Sequence, residues 1–306
     1  MNNPFVTKFA AQVGDIVVTN CDTSKMLQLL KGSQLILKET YNYDTDRQIR
    51  IGGLADVIMQ AVYGDLKVGV QTAAKAAFTV KLTDEEDITA TIYAMRLQNP
   101  RDPRGLKAVL AAAPRGVCHP GTQQLVTVIG TVVVGLVGTN HTTTIGTAGE
   151  VETVDCDPAV LFANHYEQGM ALNIGNELLL DIVAPVCEDQ VEVRFLNRYD
   201  MPQSLVAQYM EEKPQAQDDT AMMRGQRTRF DVKSTTEYTL HSGPLHDSSE
   251  TDSWQDLLMA RKAQVRVHGQ WHDIVVTKSN ITRQRLRFHG PKIDITFQTA
   301  NPLMLL

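Results

Sequence analysis

Short apolar runs broken by polar pairs dominate the start of the chain. Residues 15–19 (DIVVT) and 34–38 (QLILK) are aliphatic runs bounded by polar residues, and they predict strands. Asp44-Thr45-Asp46 marks a turn, after which 48–51 alternates polar and apolar as a half-buried strand does. Leu54, Val57, Ile58 and Ala61 stand at i, i+3, i+4, i+7 and predict a short helix over 53–62. Residues 77–82 and 88–95 predict two more strands, joined through the polar turn 83–87.

The texture changes from 98 to 124. NPRDPRG and APRGVCHPG are rich in Pro, Gly and Arg and read as irregular chain, with 107–113 between them a short helix or a strand. From Leu125 the pattern is β again: LVTVIGTVVVGLVG, HTTTIG and EVETVD are valine- and threonine-rich pieces separated by glycine, the pattern of a meander, and 172–183 and 191–195 continue it. The Pro185 region and 187–190 supply a turn. Beyond a strand and proline turn, 211–223 reads as a polar loop, 224–232 and 233–240 as strands, and 247–260 as a helix. Asp247, Ser248 or Ser249 can cap that helix, and Trp254, Leu257 and Leu258 form its apolar face. Residues 264–268 and 271–277 flank His268-Gly269-Gln270 as a hairpin, and 285–288 and 293–299 form a last pair around Gly290-Pro291.

These elements imply a mainly β chain, a β-rich α+β fold of sandwich or barrel-like domains with a few short helices. The divisions fall at 1–97 (an N-terminal β-rich domain), 98–124 (a Pro/Arg-rich excursion), 125–200 (a central β region) and 201–306 (a β-domain with one helix). The length of 306 residues suits such a division, at roughly 100–200 residues per domain. With 43% hydrophobic and 21% charged residues the chain is globular rather than disordered. A net charge of −6 argues against broad binding to a phosphate backbone, and 6% aromatic residues is poor material for base stacking or a sugar cleft. Val126–137 is interrupted by Thr127, Gly130, Thr131 and Gly135 and is too short to span a membrane, so no membrane span is expected. The first fifteen residues do not read as a secretion signal.

Candidate chemistry changes this picture little. Cys21, Cys118, Cys156 and Cys187 form no C-x-x-C pair and read as reduced thiols. Cys118-His119, with His141, Cys156 and His165 downstream, is the best nucleus for a metal, but it lacks the paired spacing of a structural zinc site. Asp44-x-Asp46 lacks the Gly and Glu that complete a calcium loop. No G-x-S-x-G, H-E-x-x-H or phosphate-loop string is present, and no cofactor is expected; the plentiful acidic residues leave a glycosidic carboxylate pair open, since chain order alone does not place two of them together. Arg283, Arg285 and Arg287 alternate so as to share one face of a strand, either a solvated face or a contact with an acidic neighbour or passing DNA. Trp271 is either core or an interface anchor.

Three stretches together resemble structural tail proteins of Bacteroidetes phages and prophages. They are ETYNYDTDRQIRIGGLADVI (39–58), VRFLNRYDMPQSL (193–205) and YTLHSGPLHDSSETDSWQDLLMARKAQVRVHGQWHDIVVTKSNI (238–281), and DITFQTANP (294–302) adds to the likeness. They cover about a third of the chain. The resemblance implies a virion structural protein of the tail, neck or baseplate, assembled in the bacterial host cytoplasm, that is not an enzyme. It implies a homo-oligomer, expected as a ring, that connects other phage tail proteins; any passage of genomic DNA through it is expected to be without sequence-specific binding. A host-surface glycan-binding adsorption module is the alternative, and a tail-associated hydrolase a third reading. The candidate interface residues are Arg101, Arg104 and Arg115 of the excursion, Trp271, and Arg283, Arg285 and Arg287. The valine-rich run 125–138 is expected to leave apolar surface for copies of the chain to bury, and the excursion to contact an adjacent subunit.

Overall fold

The computed structural model describes the backbone of residues 1–5, 10, 13–61, 64–93, 108–184, 189–223, 226–245, 249–282 and 292–300, and the side chains of these apart from residues 164, 215–223, 226–235 and 279–282. The chain is mainly β, about 49% strand and 10% helix. Its buried apolar residues gather into three large clusters that follow one another along the sequence.

The first unit pairs β1 (Ile16–Val18) with β4 (Ile49–Ile51) beside a four-stranded antiparallel sheet. That sheet runs β3 (Gln34–Tyr41), β2 (Lys25–Lys31), β6 (Lys75–Leu82), β7 (Ile88–Tyr93). Strand β2 escaped the sequence reading because KMLQLLK shows no clean alternation, yet Leu27 and Leu29 are fully buried in it. The helix α1 (Leu54–Gln60) turns Leu54 and Ile58 into the same core. The turn at Asp44 is as expected: its carboxylate accepts the N–H groups of Asp46 at 3.0 Å and Gln48 at 2.8 Å. A short strand, β5 (Gly69–Val70), crosses to the second unit.

That unit contains β8 (Arg115–Cys118), β9 (Leu125–Ile129), β10 (Val132–Leu136), β11 (Thr142–Ile145), β12 (Val151–Asp155), β13 (Ala171–Ile174) and β14 (Leu178–Ile182), with a one-turn helix α2 (Pro158–Leu161). The strands do not form the expected meander. β9 and β10 are consecutive but belong to different sheets, β5-β12-β9 and β11-β10-β13-β14-β8. The chain changes sheet at Gly130 (φ 70°), and the return at Gly146 (φ 80°) packs against it. A Cβ on Gly146 would stand 2.2 Å from the Gly130 carbonyl oxygen, so that corner needs two bare backbones in contact. The stretch 172–183 is a hairpin, not one strand, because Gly175 and Asn176 both take positive φ.

The excursion also differs from expectation. Residues 94–107, with Arg101 and Arg104, lie outside the described residues. Residues 108–118 carry buried side chains, Val109 and Cys118 among those of the second core. Val109 bridges to Val128, Leu110, Ala112 and Ala113 are buried, and β8 pairs in parallel with β14. Prolines at 114 and 120 bound β8 rather than interrupt it, which is why a Pro-rich segment can still hold a strand.

The third unit is a seven-stranded sheet with α3 (Glu250–Leu258) on one face. Its strands are β15 (Val191–Leu196), β16 (Pro202–Ala207), β17 (Tyr209–Met223), β18 (Gln226–His241), β19 (Ala263–Val267), β20 (Gln270–Thr282) and β21 (Lys292–Thr299). They lie in the order β16-β15-β19-β20-β21-β18-β17. The hairpin at His268-Gly269 is as predicted, with both residues at positive φ. Ser249 stands at the N-cap of α3 without a capping bond; its hydroxyl donates instead to the Arg115 carbonyl at 3.2 Å. Trp254, 2% exposed, is buried in the same core as Phe195, Leu240 and Phe297, as its helical spacing with Leu257 predicted. The polar segment 211–223 is not a loop but almost all of β17.

Candidate assembly surfaces

Among the described residues, strand β18 pairs with β21 only from Tyr238 to His241. Residues 226–237 therefore pair, among the described residues, with β17 alone, in a two-stranded ribbon that continues past the described part of the sheet for about 40 Å at ~3.3 Å per residue. Pro214 is tolerated in β17 because that strand is the sheet's edge and its outer side carries no ladder. A register shift between Gln217 and Asp219 adds local twist to the ribbon. The strands β20 and β21 are joined at the other end of the sheet, where Thr282 faces Lys292. Arg283, Arg285 and Arg287 belong to that connection and lie outside the described residues.

A polar lock sits at the root of the ribbon. His241 Nδ1 is 2.7 Å from Asp294 on β21, its Nε2 is 3.6 Å from Glu211 on β17, and its ring stacks on Tyr209 at 4.3 Å. Three neighbouring strands are thus tied through one imidazole. The same sheet face carries a ladder across β15, β19 and β20. Arg194 donates to Gln264 at 2.7 Å, Gln264 donates to Asp273 at 2.8 Å, and Arg266 donates to Glu192 at 2.7 Å. Trp271 is half-buried in this ladder with the Arg194 guanidinium 4.2 Å from its ring centre, so it is not a core residue. Burial pulls the Arg194 pKa below its ordinary value. Arg115, the one described arginine of the excursion set, turns its fork onto Asp181 of the adjacent strand at 2.9 and 3.2 Å.

The opposite edge of the seven-stranded sheet is not open. It is fastened to the second unit by a buried polar seam. The Ser204 hydroxyl accepts the Leu125 N–H at 2.7 Å, and Thr127 donates to the Pro202 carbonyl at 3.1 Å. Thr127 also bonds Thr153 at 2.8 Å, and Thr153 accepts from Gln71 at 2.9 Å, which brings the segment leaving the first unit into the chain of bonds. Gln203 accepts from the Ala112 N–H and from Asn197, each at 3.1 Å, and donates to Ser253 of α3 at 3.0 Å. Gly64 closes the seam: a Cβ there would meet Pro202, the Asp200 carbonyl and Gln71 at 3.0–3.2 Å. Paired buried polar groups are costly to break one at a time, so the seam holds the units in one arrangement. A cleft of about 90 Å³ beside it, walled by Leu125, Leu180, Leu245 and Trp254 with Gln124 and Ser253, suits a few waters rather than a ligand.

The histidine and cysteine candidates do not converge. His119 Nδ1 faces the Val183 carbonyl at 3.0 Å, His141 and His165 stack on each other, and among the described residues no group of three potential ligands meets. Cys118 and Cys156 are buried thiols in one core; burial pushes Cys118 up to about 12 and raises Cys156 as well. The expected apolar surplus of 125–138 is mostly consumed in that core, and only Val133 and Val137 face solvent, at 56% and 48% exposure. No helix among the described residues is long and apolar enough to cross a membrane.

Neither the ribbon nor the seam was legible in the sequence. The ribbon lacks an apolar alternation because it has no core to face, and the seam's Gln, Ser and Thr residues carry no spacing signature. No protein-family model and no curated protein matches the chain. Among solved structures, it is similar to a chain of a particle described as the virion of a native gene transfer agent (GTA). That match has a TM-score of 0.23 and 7% identity and covers 31% of this chain and 80% of the other. A TM-score of that size does not establish a shared fold.

Proposed function

We propose that the chain is a structural, non-enzymatic component of a bacteriophage virion tail (tail, neck or baseplate), assembled in the host cytoplasm, that oligomerises and connects neighbouring tail proteins. The observation that carries this reading is the ribbon of β17 and β18. An isolated two-stranded hairpin is at best marginally stable in water, so about 40 Å of ribbon with no third strand among the described residues supports a partner that covers it. Its rigid root, locked through His241, and the seam at the far edge of the sheet suit a body that transmits position from one subunit to the next. Contacts between unlike surfaces of identical subunits close into a ring when the rotation permits, which is the form proposed here. The resemblance of 39–58, 193–205 and 238–281 to phage tail proteins supports the same reading.

The test is to replace residues 213–236 by a two-residue turn and follow assembly by sedimentation and electron microscopy. The shortened chain is expected to keep the thermal unfolding of the parent and to lose assembly. Assembly equal to that of the parent would refute the proposal.

A further inference from the structure

Charge is distributed very unevenly along this chain. Residues 116–193, which run from just after Arg115 in β8 through the second unit to the start of β15, contain ten Asp and Glu and not one Lys or Arg. The outer end of the ribbon is the reverse: residues 220–230 contain three Arg and no carboxylate. Two of those arginines hold register positions on β18, Arg227 opposite Met222 and Arg229 opposite Thr220.

The structure shows how the acidic unit satisfies part of its charge. It takes one cation from the first unit and one from its own first strand. Lys75 of the first unit reaches Glu150 at 2.9 Å, and Arg115, the first residue of β8, takes Asp181; Glu192, on β15 of the third unit, is paired there with Arg266 at 2.7 Å. Asp157 and Asp155 are engaged by backbone N–H groups. Glu167 and Asp189 are exposed, and neither has an ion pair among the described residues.

The ribbon of the same subunit is badly placed to supply the missing cations. The second unit is fastened to β16, at one edge of the seven-stranded sheet, whereas the ribbon leaves from β18 and β17 at the other. Five or six strand spacings, about 25–30 Å at ~4.8 Å each, separate the two edges, and the ribbon then runs along the strand direction rather than back across the sheet. The basic end and the acidic unit thus sit at opposite edges of one rigid body, the arrangement that lets one subunit's ribbon meet the next subunit's second unit.

We infer that the basic end of the ribbon docks on the acidic second unit of an adjacent copy of this chain, in a head-to-tail contact that repeats around the assembly. This rests on the ribbon being an assembly contact and names its partner surface. Complementary charge across such a contact fixes register and speeds encounter, and it makes association sensitive to salt.

Charge exchange tests it in the full-length chain. Arg227→Glu with Arg229→Glu is expected to weaken self-association at least about tenfold, as is Glu167→Lys with Asp189→Lys, and mixing the two variants is expected to restore association to within about threefold of the parent. The milder Arg227→Gln with Arg229→Gln, checked by an unchanged melting curve, is expected to weaken association by a smaller factor and to flatten its salt dependence. Three results would overturn the inference. The reversed-arginine chain could assemble like the parent although removal of 213–236 abolishes assembly, which would keep the ribbon contact but remove its charge basis. Association could be lost and not restored by mixing, which would place the partner surface elsewhere. The arginine variant could assemble normally yet lose retention of a 30-base-pair DNA duplex on a gel, which would assign the basic end to nucleic acid.

Discussion

The second unit and the ribbon are built from the same element and end in opposite situations. In the second unit every strand closes on its own core: Val126, Val128, Val132, Val134 and Leu136 all turn inward, and the chain changes sheet at Gly130 so that both layers share one interior. In the ribbon, β17 and β18 continue beyond the last described strand beside them. A β-strand supplies backbone donors and acceptors wherever it runs, but burial of side chains is what makes it stable without help. The second unit is complete as a single copy. In the proposed assembly another copy covers the ribbon, which no strand among the described residues does.

The largest effect that sharpens this contrast is at the ribbon's root. Trp254→Ala is expected to destabilise the third unit by about 3–5 kcal/mol, the usual loss for a buried large aromatic. A chemical denaturation curve matching that of the parent would show that α3 does not hold the sheet from which the ribbon departs.

Next comes the corner that closes the second unit. Gly146→Ala would drive a methyl into the Gly130 carbonyl and the Val128 side chain, at 2.2 and 2.7 Å, from a backbone at φ 80°. A loss of about 3 kcal/mol is expected. A fully folded variant with an unchanged midpoint would mean that the two sheets do not need this close approach.

The seam ranks third. Ser204→Ala leaves the buried Leu125 N–H without its 2.7 Å acceptor and is expected to cost about 1–3 kcal/mol. Hydrogen exchange at the Leu125 amide should accelerate in step. If the amide stays as protected as in the parent, the second and third units are held together by something other than this bond.

The smallest effect concerns the closed core alone. The folded chain keeps Cys118 protonated up to about pH 12, whereas the unfolded thiol ionises near its ordinary value of 9.0. The stability this contributes is complete below pH 9 and is lost as the pH rises toward 12. Cys118→Val should therefore show a shallower fall in denaturation midpoint across that window than the parent. Equal slopes would assign the alkaline loss to other groups.

Much of the fold follows from local pattern. The i, i+3, i+4 spacing of Leu54, Val57 and Ile58 gives α1, Asp44 gives its turn, and His268-Gly269 gives its hairpin, because each depends on residues a few positions apart. The spacing of Trp254 and Leu257 likewise gives the buried face of α3. What the sequence could not contain is which strands meet. LVTVIGTVVVG reads equally well as a meander and as two strands of different sheets, and only the contact of Gly130 with Gly146 decides between them. The polar residues of β17 read as loop because strand patterning comes from burial on one face, and this strand runs outward from the core that would have imposed it. Gln203, Ser204 and Thr127 become a seam only when β16 and β9 lie side by side, since a buried hydrogen bond is a property of two distant segments and not of either one. The separation of ten carboxylates from the arginines of 220–230 was written in the sequence; that they stand at opposite edges of one body was decided by the tertiary structure.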